Sequence, residues 1–148
     1  MISRSLLATF KHVWDQDPAL DKESERYSFE TFMRTGDLAH LPVKEGQKLT
    51  VFELAPLSRR QFQEVIQLRT QERPIDAAVL AVSFGLRGVT NFYDAGGQEL
   101  QVAFITDGDG TKRVSPATLD QLYDVSLIGQ LGTRIINEST LRPRNGQG

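Results

Sequence analysis

The chain has no cysteine, only two histidines, and no apolar run near membrane-span length. The first absence excludes disulfides, thiolate metal sites and thiol nucleophiles. The histidines, His12 and His40, lie far apart in sequence. A zinc site needs more ligands at closer spacing, so a surface or interfacial histidine is the expectation for each. A bilayer-spanning helix needs about 20 apolar residues, and a secretory leader a continuous apolar stretch of about 7–15. Near the start, Lys11 and His12 interrupt the one apolar patch, which predicts a cytosolic protein with no export signal. The formal net charge of −2 gives no general attraction to nucleic acid or to an anionic membrane. There is no G-x-S-x-G around any serine, so a nucleophile elbow is missing. No internal repeat is visible.

What is present is ordinary globular material. The chain has 148 residues, 39% of them hydrophobic and 24% charged, which suits one domain with a modest core. Residues 1–47 are the least regular part. Leu6, Leu7, Phe10, Val13 and Trp14 recur at helical spacing and predict a short helix over residues 3–14. Pro18 and a run of charges follow. Tyr27, Phe29, Phe32 and Met33 form an aromatic cluster that suits one helical turn or an extended segment, and residues 35–48 read as a loop punctuated by Gly36, Pro42 and Gly46. So many large apolar groups have reason to be covered. The segment is expected to be an arm that docks through Phe10 and Trp14, on its own domain or on a neighbouring copy.

From residue 48 the pattern sharpens. "KLTVFELAPL" reads as a strand ending at Pro56. Ser58 and Gln61 have the spacing of a capping box, and Leu57 and Phe62 that of a hydrophobic staple. The helix they open carries Phe62, Val65 and Ile66 as an apolar stripe beside a cationic Arg59–Arg60 edge. An apolar stripe beyond what a small core covers marks a binding site, so these residues are the candidate partner surface. Pro74 starts a second helix, apolar on most sides, read as the buried centre of the domain. Gly85 or Gly88 is expected to cap it in the left-handed conformation. "VTNFYD", "AGG" and "ELQVAFIT" then read as a β-hairpin. Ser115 and Pro116 open a last helical stretch as N-cap and first residue. Its Gly129 and Gly132 suggest a break or a close helix contact. Residues 139–148 read as a basic flexible tail. The expected fold is α+β: a small antiparallel sheet, one strand plus a hairpin, packed with three to four helices. The core domain spans residues 48–138, with the arm at 1–47.

The chemical motifs are weak. "SFGLRGVTNFYDAGG" places a helix before the glycines and a strand after them, the reverse of a dinucleotide-binding loop. "DGDG" at 107–110 fits no register of a calcium loop that supplies both the glycine and the terminal glutamate. It is read as a turn between a strand and a helix. Arg59, Arg60, Arg69 and Arg73 form a cationic strip in an acidic chain, which argues for a solvated face over nucleic acid. No catalytic constellation, metal site or cofactor site emerges.

Residues 49–145 resemble the small tail assembly chaperones of tailed bacteriophages. The resemblance is carried by "FELAPLSRRQF", "FGLRGVTNFYDAGGQEL", "SPATLDQL" and "IINESTLRPRN" in that order. It covers about two thirds of the chain. Asn91-Phe92 departs from the pattern, standing where the family has a tryptophan. The resemblance implies a non-enzymatic protein of the host cytoplasm that binds the tape-measure protein, keeps its apolar helical surface soluble and helps recruit tail tube subunits. Homo-oligomerisation is compatible with it. The other reading within phage morphogenesis is a virion structural component held in a multi-copy assembly.

Overall fold

A computed structural model describes residues 9–141. Among these residues the fold is α+β, with five α-helices and two small antiparallel sheets. The first sheet has the order β1 (Phe10–His12), β2 (Val51–Leu54), β3 (Leu86–Thr90). Residues 10–12 therefore form a strand where a helix was expected. Phe10 pairs with Leu54, Lys11 with Glu53 and His12 with Phe52. Half-buried Phe10, exposed Lys11 and buried His12 alternate as an edge strand requires. Residues 3–8 of the expected helix lie outside the described residues.

The rest of the arm folds on itself and on the domain. Ser28 accepts a bond from the Thr31 amide and starts α1 (Phe29–Thr35), which Gly36 ends at φ 75°. Phe32 of α1 gathers Val13, Ala19, Leu20, Leu41 and Leu49 into a satellite core. Phe10 and Trp14 pack instead against the main core. The described part of the arm, residues 9–47, thus packs in cis, with its aromatics against the two cores.

The main core lies where α3 (Pro74–Gly85) crosses α5 (Val125–Leu141) and packs on α2 (Arg59–Thr70). The capping box of α2 forms: Ser58 Oγ accepts from Gln61 N at 3.2 Å, and Gln61 Oε1 accepts from Ser58 N at 3.0 Å. The expected glycine cap of α3 does not form, because the cap is Leu86 in extended conformation, running straight into β3. Gly85 serves packing. A Cβ there would lie 2.8 Å from Ile135 Cδ1 and 3.0 Å from the Ala55 carbonyl.

The glycines of α5 do not break it. Gly132 is the close helix contact, since a Cβ on it would stand 2.7 Å from Ala78 Cα of α3. Gly129, one turn earlier, faces open space. Alanine is favoured over glycine inside a helix by about 1 kcal/mol, whereas overpacking a tight contact costs about 1–3 kcal/mol. Gly129→Ala is therefore expected to raise stability by up to about 1 kcal/mol. Gly132→Ala is expected to lower it by about 1–2 kcal/mol, because the clash is with backbone that cannot rotate away. Urea midpoints of the two variants check this; two shifts of the same sign would contradict the close-contact reading.

Two further boundaries moved. The glycine turn after β3 keeps a short remnant of the expected hairpin: Tyr93 bridges Glu99, Asp94 N donates to the Gln98 carbonyl at 2.9 Å and Leu100 N to the Phe92 carbonyl at 2.7 Å. The second sheet pairs β4 (Phe104–Thr106) with β5 (Lys112–Val114) across the Asp107–Gly110 turn. That turn joins two strands and not a strand to a helix. Ser115 and Pro116 do open α4 (Pro116–Leu122). The helical stretch then breaks at Asp124, whose Oδ1 accepts from Ser126 N at 2.9 Å and Leu127 N at 3.2 Å to restart it as α5. α5 runs to Leu141, so residues 139–141 belong to the helix and not to a tail; residues 142–148 lie outside the described residues.

Candidate functional surface

Burial decides which of the expected partner-binding residues remain accessible. Val65 is 0% exposed and belongs to the main core, while Phe62 and Ile66 are half-buried against that core. The α2 stripe is thus consumed by packing on α3, and it is not the surplus apolar surface expected of it. Arg59 and Arg60 stay exposed. Arg60 lies on the rim of a cleft of about 450 Å³ between α2 and the β4–β5 hairpin. Its guanidinium is 4.0 Å from Asp109, and across the same cleft Arg113 is 3.2 Å from Asp107. Asp109 is held below the usual carboxylate range chiefly by the Thr111 backbone amide, which donates to it at 3.0 Å. Two acid–base pairs thus face the cleft, and no histidine lines it. Among the described residues, no group of three or more His, Asp or Glu side chains is placed to hold a metal ion.

Phe10 and Trp14 have separate roles. The Arg134 guanidinium lies over the Phe10 ring, 5.0 Å from its centroid. Trp14 walls a pocket of about 250 Å³ with Phe52, Phe92, Tyr123 and Leu127.

Beneath Phe10 is a buried polar cluster. His12 is wholly buried within the fold, where a surface or interfacial position was expected. Its Nδ1 is 3.1 Å from Arg134 Nη1, and its Nε2 is 2.9 Å from Gln130 Oε1. Arginine only donates, so Nδ1 is the acceptor and the proton sits on Nε2, donating to Gln130. Burial pushes the His12 pKa down to about 4, leaving the imidazole neutral near pH 7. Arg134 also reaches Glu138, 3.4 Å away. The cluster joins β1 to α5. It is a structural tie, with neutral His12 enclosed in the fold.

The surplus apolar surface lies on another face. The first turn of α3, the α4–α5 corner and the outer side of α5 leave Ile75 50%, Tyr123 54% and Val125 55% exposed. Two grooves open between them. One, of about 210 Å³, runs between Ile75, Val125 and Ile136 with Arg69 at its rim. The other, of about 310 Å³, lies among Val79, Leu119 and Tyr123 with Asp120 at its rim. Ile128 lines both. The sequence did carry a signal for this face: α3 is apolar on most sides, more than its neighbours cover. Local periodicity singles out the α2 stripe instead, because the α2–α3 pairing is invisible to it.

No family model, curated protein or solved structure was found to match the chain. Among the described residues no helix is long and apolar enough to cross a membrane.

Proposed function

We propose that the chain works by binding and not by catalysis, as a tail assembly chaperone of a tailed bacteriophage, and that its partner surface is the α3–α4–α5 face. The observation that carries this reading is the pair of apolar grooves flanking Ile128, bordered by exposed Ile75, Tyr123 and Val125. Apolar grooves between helices receive amphipathic helices, which insert side chains at i, i+3, i+4 and i+7. The sequence resemblance supplies the partner: a tape-measure protein, with a long apolar helical surface in need of cover, and tail tube subunits as later recruits. Arg69 at one groove and Asp120 at the other favour a helix with an acid at one end and a base at the other.

Co-expression with the tape-measure protein of the same genome tests this. The expected result is a soluble, co-purifying complex; an insoluble tape-measure protein with no complex contradicts it. A virion structural component is the second reading, favoured by the exposed, one-sided pairing of β4. Mass spectrometry of finished particles separates the two. A chaperone stays in the host cytoplasm and is absent from particles, whereas a structural component is present in many copies.

A further inference from the structure

Among the described residues, β4 and β5 form a sheet of two strands. Ser115 N donates to the Ala103 carbonyl and Asp107 N to the Thr111 carbonyl, both at 2.8 Å. These bonds bracket β4. An antiparallel ladder alternates hydrogen-bonded and non-hydrogen-bonded pairs. Ile105, midway between them and opposite Arg113, therefore directs its amide and carbonyl toward β5. Phe104 and Thr106 direct theirs to the opposite edge, where no strand of the described residues pairs with them. All three residues are exposed, Phe104 by 37% and Ile105 by 39%. Edge strands are ordinarily blunted by lysine, proline, a bulge or a cover. β4 has no charge, no proline and no register shift.

We propose that this edge is an interface between two copies of the chain, with β4 pairing antiparallel to β4 of a second copy so that two hairpins become one four-stranded sheet. The strand is complementary to its own inverted copy. Centring the two-fold axis on Ile105 sets Phe104 opposite Thr106 of the second copy. The outward amides and carbonyls of both copies then form four hydrogen bonds. The charges agree with this register. Acids follow β4 at Asp107 and Asp109, while the residues before it, Gln101, Val102 and Ala103, are uncharged. Inversion places Asp107 opposite Ala103 and Asp109 opposite Gln101, so the acidic turns of the two copies lie at opposite ends. A parallel pair would set Asp107 beside Asp107. The isologous arrangement closes as a dimer. A three-residue strand is short, so the dimer is weak in dilute solution.

The absence of cysteine makes the register testable. At the two-fold, the Ile105 residues form a non-hydrogen-bonded pair with Cα atoms about 4.5 Å apart, within disulfide reach. Phe104 and its own copy lie about 8–9 Å apart by the same geometry, as do Thr106 and its copy, which is beyond reach. Under mild oxidation, full-length Ile105→Cys is expected to cross-link as a dimer at least about tenfold faster than Phe104→Cys or Thr106→Cys. Sedimentation equilibrium of the unmodified chain should show mass rising with concentration, a rise that Thr106→Pro abolishes by removing an outward amide. Cross-linking at equal rates from all three positions overturns the register. No cross-link from Ile105→Cys, with a monomer at the highest soluble concentration, overturns the interface.

Discussion

Replacing Arg134 with methionine is expected to cost about 3–5 kcal/mol of folding stability, the range for removing one partner of a buried ion pair. Arg134 is only 6% exposed and Glu138 8%. The guanidinium sits 3.4 Å from the Glu138 carboxylate, 3.1 Å from His12 Nδ1 and 3.0 Å from Met33 Sδ. It also covers the Phe10 ring. Methionine keeps most of the apolar stem but leaves a buried carboxylate without this cation. The loss should therefore exceed that of a surface pair, which is worth about 0–1 kcal/mol. Adding Glu138→Gln to Arg134→Met should recover much of it, because the buried charge goes as well. Urea unfolding of the two variants measures this; a single-variant loss below about 1 kcal/mol would mean that the cluster is solvated.

Stability is also expected to fall as the pH drops from 6.5 toward 4, with His12 as the group responsible. Burial is the largest cause of its lowered pKa, and Arg134 lowers it further. Gln130 and Asp15 oppose them, and the value stays depressed at about 4. Phe29 and Phe32 of α1 close the other side of the ring. Between these pH values the unfolded chain binds a proton at His12 and the folded chain does not. Stability then falls with falling pH, by at most about 1.4 kcal/mol per pH unit and about 3 kcal/mol in all. Below pH 4 the folded protein takes up the proton too, and this contribution stops changing. Substituting His12→Gln should remove this part of the profile. The wild-type advantage over the variant should shrink through the window; parallel curves would contradict a buried neutral His12.

Local grammar was legible where a feature closes within a few residues. Ser58 with Gln61, Pro74 at a helix start and Ser115 with Pro116 are all set by neighbours in sequence, and each took its expected role. Features set by distant pairing were not. Phe10, Val13 and Trp14 suit a helix by spacing, but pairing with β2 makes the first part of that stretch a strand. The expected hairpin from residue 89 is interrupted at Asn91 and survives only as a short pairing of residues 92–94 with 98–100. Asn91 adopts φ 61° and turns the chain, with its side-chain amide donating to the Leu49 carbonyl at 3.2 Å. Gly132 announced a close contact without naming Ala78 as its partner. The burial of Val65 in the α2 stripe was hidden for the same reason: whether an apolar stripe is surplus depends on which helix covers it.

The most direct test of the account compares two surfaces in one measurement, co-purification of the tape-measure protein with tagged variants of the chain. Ile75→Asp with Tyr123→Asp places charge on the α3–α4–α5 face at two exposed positions, where folding should tolerate it. Arg59→Ala with Arg60→Ala alters the exposed edge of α2. The account predicts that the first pair reduces recovery by about tenfold or more, since a charge facing a desolvated groove costs well over 1.4 kcal/mol, while the second pair leaves recovery near wild type. Full recovery with the first pair, or loss confined to the second, would contradict it.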